Sequence, residues 1–219
     1  MANLIIRGRL ACIAVFVVLM GVASVAVPVI RRAILRAAGW TLVASDPVTH
    51  ADVIVVAVDA DGAGALETAD LVHNGVAPRV AVFEDTPDTT VEQEFIHRGL
   101  LYEGVGARSF RQLQALGVKN VERVPGYVTG SEDEGPALAA WCDQNHFRSV
   151  VVVTTSDHSR RLRRSLHRSM QNHHTVVMVR PARYSDFDPD NWWESHGGTR
   201  TELEESEKLL VDIVQHPIS

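Results

Sequence analysis

Between residues 51 and 214 the chain alternates short, wholly apolar runs with longer stretches whose apolar positions recur every three or four residues. ADVIVVAV (51–58) is the first such run. It is continuous, β-branched and too short for a helix, so it predicts a strand buried on both faces. ALETADLVHNG (65–75) follows with Leu66, Ala69 and Val72 at helical spacing and Gly75 as a stop. RVAVFED (79–85) predicts a second buried strand that ends on acids. Residues 90–117 predict helical segments broken near Gly104 and Gly106, and VERVP (121–125) a short strand. After these the pattern gives helix 131–146, strand 149–155, helix 157–171, strand 174–180 and a last helix at 201–214. Strands alternating with helices imply βαβ units. The expected fold is α/β, a mainly parallel, doubly wound, Rossmann-like sheet with helices on both faces. Ligands in such folds bind beyond the carboxyl ends of the strands, where strand order reverses.

The N-terminus follows a different pattern. Residues 10–30, LACIAVFVVLMGVASVAVPVI, carry no charge and are long enough to cross a bilayer as one helix. Arg7 and Arg9 precede this run and Arg31, Arg32 and Arg36 follow it, so charge does not orient it. The run predicts an uncleaved transmembrane anchor. A signal peptide cut after Ser24-Val25-Ala26 is the competing reading, and the absence of a polar stretch after Ala26 stands against it. The expected organisation is a tail (1–9), an anchor (10–30), a juxtamembrane linker (31–50) and an α/β domain (51–219). In the linker, RRAILRAAGW reads as a short helix whose arginines either meet anionic lipid head groups or are ordinary flanking charges.

Composition narrows the function classes. A chain of 219 residues with 46% hydrophobic content can build one sizeable core. Its net charge of −6, without a long basic run, argues against a nucleic-acid surface. Cys12 and Cys142 are too few and too far apart for a disulfide framework or a metal knuckle.

Candidate chemistry gathers where strands end. After the first strand, Asp59, Asp61 and the glycines Gly62 and Gly64 form either a turn leading into a helix N-terminus or, through the two aspartates, a pair of hard-metal ligands. Ser131-x-x-Glu134 has the form of a capping box, and Pro136 conflicts with it. After VVVV (150–153) come Thr154, Thr155 and Ser156, then a helix opening on Asp157, His158 and Arg161. Leu162, Leu166 and Met170 mark its buried stripe; His158 lies about 40° from that stripe and Arg161 about 100°. Both can reach the crevice, whereas Arg160, Arg163 and Arg164 face elsewhere. These are the parts of a phosphate or carboxylate site. The alternative is a helix capped by Thr155 or Ser156, with Asp157 paired to Arg161 and His158 at the edge of the core. The adjacent Trp192 and Trp193 read as core closure, one on the sheet and the other on a neighbouring surface or the membrane interface.

In order along the chain, these features resemble the YdcF/SanA/ElyC-like family. The resemblance rests on Ala51-Asp52-Val53-Ile54-Val55-Val56 after an apolar segment, and on Gly75-Val76-Ala77-Pro78 before a strand. It also rests on Ser131 with Glu134, on Val153, Thr154, Thr155, His158 and Arg161, on the Trp-Trp pair, and on ESEKLL (205–210). It spans about residues 50–212. It implies a membrane-anchored domain at the extracytoplasmic side of the cytoplasmic membrane, linked to cell-envelope integrity and the lipid-carrier steps of wall assembly. No settled reaction comes with it, and some relatives bind S-adenosylmethionine. The site residues it carries over are Ser131, Glu134, His158 and Arg161. This chain departs from the family's glycine-rich turn and following arginine, having Asp59-Ala60-Asp61-Gly62 and Ala65 there.

Three functions compete. An enzyme would act on a phosphorylated, lipid-linked or other anionic envelope precursor, with His158 as acid/base, Glu134 orienting it or serving as base, and Ser131, Thr154, Thr155 and Arg161 holding the anion. A non-catalytic envelope factor would use the same crevice for a ligand or partner. A nucleotide or S-adenosylmethionine binder would use Asp59 and Asp61 on ribose hydroxyls and needs an open slot beside them.

Overall fold

The computed structural model describes residues 21, 27–86 and 89–217. The expected anchor falls mostly outside them, and among the described residues no helix is long and apolar enough to cross a membrane. The first element is α1 (Pro28–Leu42), opened by a proline in its first turn. Next come β1 (Val53–Val56), a 3-10 turn (Val58–Ala60), α2 (Asp61–His73), β2 (Val80–Asp85), α3 (Thr90–His97) and α4 (Val105–Ala115). β3 (Val121–Val128), α5 (Ser131–Asn145), β4 (Ser149–Thr154), α6 (Ser159–Ser169), β5 (Val176–Pro181), a 3-10 turn (Trp192–Glu194) and α7 (His196–Gln215) complete the chain.

The five strands form one sheet in the order β3-β2-β1-β4-β5, and every pairing is parallel. The chain moves outward from β1 to β3, then crosses to β4 on the other side of β1. Strand order therefore reverses between β1 and β4. α2 packs with α4, and α5 packs with α6. Reversing direction while keeping one crossover hand puts these pairs on opposite faces. β1 and the valines of β4 are buried throughout, which is why both read as unbroken apolar runs.

Two close approaches set helix positions near the reversal. A Cβ on Gly64 would lie 2.4 Å from the Ala60 Cβ and 2.9 Å from a Val56 methyl, so α2 can sit down on the end of β1. A Cβ on Gly135 would lie 2.3 Å from Ser169 Oγ, so α5 leaves room there for the Ser169 side chain of α6.

Several elements differ from the sequence pattern. The helix expected at 65 begins at Asp61, whose φ of 38° is a backbone conformation usually left to glycine. The helix expected at 157 begins at Ser159. Residues 31–50 give α1 and an extended segment that both pack on the domain. The Trp192 indole donates to the Leu35 carbonyl, and Asp46 takes the Val179 N–H and the Arg163 guanidinium. Trp192 packs in a second apolar cluster with Leu42, Phe187 and Leu209, not on the sheet. It crosses Trp193 edge to face.

The capping box is at Thr89, not Ser131. Thr89 Oγ1 accepts the Glu92 N–H, and Glu92 returns a carboxylate to the Thr89 N–H. α3 buries no residue, so this cap is its main support. Thr89→Ala should cost about 1 kcal/mol locally. Amides of α3 would then exchange roughly fivefold faster, with the global urea midpoint unmoved. A shifted midpoint would show that α3 unfolds with the core.

Candidate functional site

The site lies where strand order reverses. β1 ends in the 3-10 turn that carries Asp59, and β4 ends on Thr154 and Thr155. Asp59 accepts from the Thr154 hydroxyl at 2.9 and 3.0 Å and from the Thr155 hydroxyl at 2.8 Å. The two strand ends are thus tied together by one carboxylate, and Thr154 is fully buried behind it.

α5 supplies Ser131 and Glu134. Neither makes a capping box: Gly130 is the N-cap residue, and it is Asp133 that receives the Thr129 N–H and hydroxyl. Pro136 lies inside the helix. Glu134 turns inward instead, where its Oε1 accepts the Val58 N–H at 2.7 Å. Its Oε2 is buried without a hydrogen-bond partner. Burial first, and the neighbouring Asp59 charge second, push the Glu134 carboxyl up to about 7. Near neutral pH it therefore holds a proton much of the time.

α6 supplies Arg161, and His158 ends the turn before it. Neither Thr155 nor Ser156 caps this helix, and Asp157 does not pair with Arg161. Arg161 donates through Nη1 to Ser131 Oγ at 2.9 Å and through Nε to Glu205 Oε2 at 3.2 Å. Its Nη2 lies 2.8 Å from His158 Nδ1, and that same Nδ1 lies 3.2 Å from Glu205 Oε2. Lys208 donates to the other Glu205 oxygen at 2.6 Å. Burial opposes the imidazolium, but the Asp59 charge and the Glu205 hydrogen bond outweigh it and hold the His158 pKa above its usual value. Burial also opposes the Glu205 carboxylate, yet its bonds from His158 and Lys208 bring it down to about 2. Burial and Asp59 raise the Asp157 carboxyl.

Asp59, Ser131, Glu134, Thr155, His158 and Arg161 line one cleft of about 380 Å³. Asp61 stands apart, paired with Arg108 at 3.3 Å and lining a neighbouring hollow of about 410 Å³ with Asp59 and Tyr184. Among the described residues no group of three or more His, Cys, Asp or Glu is arranged to hold a metal ion. Asp59 and Asp61 are instead satisfied by hydroxyls and by a guanidinium. Arg160, Arg163 and Arg164 point away, to the Val43 carbonyl, Asp46 and Asp212.

Glu205 was not singled out for the site by sequence. The signal for it is Glu202, Glu205 and Leu209, which fall on one stripe of α7 and are all buried. Carboxylates on an apolar stripe need partners, and those of Glu205 come largely from α6 and the turn before it.

No family model matches the chain, and no curated protein matches it. A solved structure that is similar is guanylylpyridinol- and ATP-bound HcgE from Methanothermobacter marburgensis, at 14% identity and a TM-score of 0.28, covering 80% of this chain and 100% of that one. A likeness this low carries no argument about fold, ligand or reaction.

Proposed function

We propose that this chain is a membrane-anchored, envelope-associated α/β protein that binds a phosphorylated cell-envelope precursor at the carboxyl ends of β1 and β4 and acts on it by acid/base chemistry. One observation carries this reading: His158, Arg161, Ser131 and Glu134 face one cleft where strand order reverses. Arg161 donates one Nη1 N–H to Ser131 and keeps the other for an anion, and its Nη2 lies beside the His158 ring. His158 Nε2 makes no hydrogen bond among the described residues, and the ring lines the cleft. It is placed to exchange a proton with a bound group. Glu134 offers a second proton near neutral pH. The charges of Arg161 and Lys208 are offset by Asp59, Asp157 and Glu205 around the same cleft. Recognition therefore rests on directed N–H donors, not on a strongly positive field. The anchor and the extracytoplasmic placement belong to this proposal on the strength of residues 10–30 and the family resemblance.

A second reading is favoured by the hollow beside Asp59 and Asp61. At about 410 Å³ it is open, as a nucleotide or S-adenosylmethionine binder requires. Thermal stability of the full chain and of His158→Ala, against phosphate, pyrophosphate, S-adenosylmethionine, magnesium and zinc, separates the readings. Phosphate or pyrophosphate at a hundredfold excess over Kd should stabilise the wild type by about 2.7 kcal/mol and the variant far less. A response to S-adenosylmethionine alone, equal in both proteins, favours the second reading. No response from a well-folded pair would leave a non-catalytic envelope factor.

A further inference from the structure

His158 Nδ1 stands between two groups that want opposite things from it. Arg161 Nη2, at 2.8 Å, can only donate, and so requires a bare nitrogen. The Glu205 carboxylate, at 3.2 Å, can only accept, and so requires an Nδ1–H. One proton cannot satisfy both. The choice decides what the cleft receives, because a neutral imidazole carries a single N–H. With Nδ1 protonated, Nε2 is a bare base facing the cleft. With Nδ1 bare, Nε2 carries the proton and can only donate.

We propose that Glu205 is a positioning residue that holds the proton on His158 Nδ1 and so presents Nε2 as the base. Three features support this. Arg161 does not depend on the imidazole, since Ser131 Oγ and Glu205 already take its Nη1 and Nε. Glu205 itself is anchored from the far side by Lys208 at 2.6 Å, so its Oε2 stays aimed at the ring. The remaining charged groups around the ring are Asp59 from the turn after β1, Glu134 from α5 and Asp157 from its own turn. All three are acids, and Asp59 adds to Glu205 in favouring a proton on the ring. Burial and the Arg161 charge oppose it, and Lys208, bonded to Glu205, is the other cation lining the cleft.

The catalytic meaning of this assignment rests on the acid/base reading of His158, but its test uses no substrate, so either can fail alone. Nitrogen-15 NMR of the full chain reports the protonation of each imidazole nitrogen. In the wild type the neutral His158 should show the Nδ1–H form. Glu205→Ala should convert it to the Nε2–H form, with Arg161 then donating to Nδ1, and should lower the His158 titration midpoint by a unit or more (about tenfold in proton affinity). Lys208→Met removes the partner of the other Glu205 oxygen but leaves Arg161 Nε on Oε2, so it should leave the tautomer as it is. A purely structural Glu205 would shift the melting temperature and leave the tautomer and midpoint unchanged in Glu205→Ala, and that result overturns the assignment. If Glu205→Ala fails to fold, Glu205→Gln keeps the shape of the side chain. The proposal then requires a lowered midpoint in Glu205→Gln, and an unchanged midpoint overturns it.

Discussion

Replacing Glu67 with alanine should lower the unfolding free energy by about 2–4 kcal/mol, the largest loss expected from a single site outside the apolar core. Glu67 sits on α2 with its side chain wholly out of solvent. It accepts from Arg180 Nε at 2.9 Å, from Arg183 Nε at 2.8 Å and from the Arg183 backbone N–H at 3.2 Å. Alanine leaves a void and removes the acceptor for three donors. The full cost of stranding a buried charge does not apply, because the Arg180 and Arg183 side chains are 31% and 55% exposed and can turn to water. The effect should also reach the cleft. Arg180 and Arg183 hold the segment after β5, whose Ser185 hydroxyl accepts the Ser156 N–H and whose Phe187 carbonyl accepts the Ser156 hydroxyl. Ser156 stands two residues before His158. Urea unfolding of Glu67→Ala checks the first claim, and a change below about 0.5 kcal/mol would refute it. The His158 NMR signals in the same variant check the second.

The central strands were legible because burial leaves a direct trace in composition. β1, β2 and β4 are flanked by strands and covered by helices, so their runs are apolar and β-branched. β3 was less legible. It is an edge strand whose Val124 and Val128 alone are buried, and the sequence pattern ends it at residue 125, three residues short. Pro125 and Gly126, the latter with φ of 95°, look like a stop. At an edge, with one side of the strand unpaired, both are tolerated. α7 starts five residues before the helical pattern does. Gly197 and Gly198 are poor helix formers, but Ser195 accepts the Gly198 N–H and opens the helix regardless.

The site was legible where it follows the strand ends and illegible where it depends on distant partners. His158 and Arg161 follow a buried strand and fall near the stripe of α6, so local spacing places them. Ser131-x-x-Glu134 stands out in the sequence for the wrong reason. Its spacing suits a cap, whereas Glu134 binds the Val58 N–H, 76 residues away in sequence. Glu205 meets His158 and Arg161 across 47 and 44 residues, which no local pattern encodes. The turn at Asp61 reads from composition as a place for acids, and its backbone strain has no sequence signature.

Glu134 should give the protein a measurable pH dependence, and Glu134→Gln should remove it. Burial and Asp59 make the ionised carboxyl less favourable in the folded chain than in water, so the folded chain binds this proton more tightly. The stability that follows is complete below the unfolded value of 4.5, decays as pH rises, and is lost above about 7. Across that window the change is roughly 3 kcal/mol, taking 1.36 kcal/mol per unit. Other groups in the cleft act elsewhere or in parallel. Glu205, held at about 2, loses its contribution only in stronger acid. His158, with its raised pKa, adds a loss of the same sign above 6.5. Asp157, also raised, adds one that begins above 3.8. The difference between wild type and Glu134→Gln removes these common parts. The amide of Glu134→Gln is not ionisable and keeps an oxygen for the Val58 N–H, so the variant's stability should fall less between pH 5 and pH 7.5. Urea titrations at those two pH values measure the difference. Parallel behaviour of the two proteins would mean that Glu134 is ionised throughout the window. It could not then donate a proton near neutral pH, and the acid/base role proposed for Glu134 and His158 would rest on His158 alone.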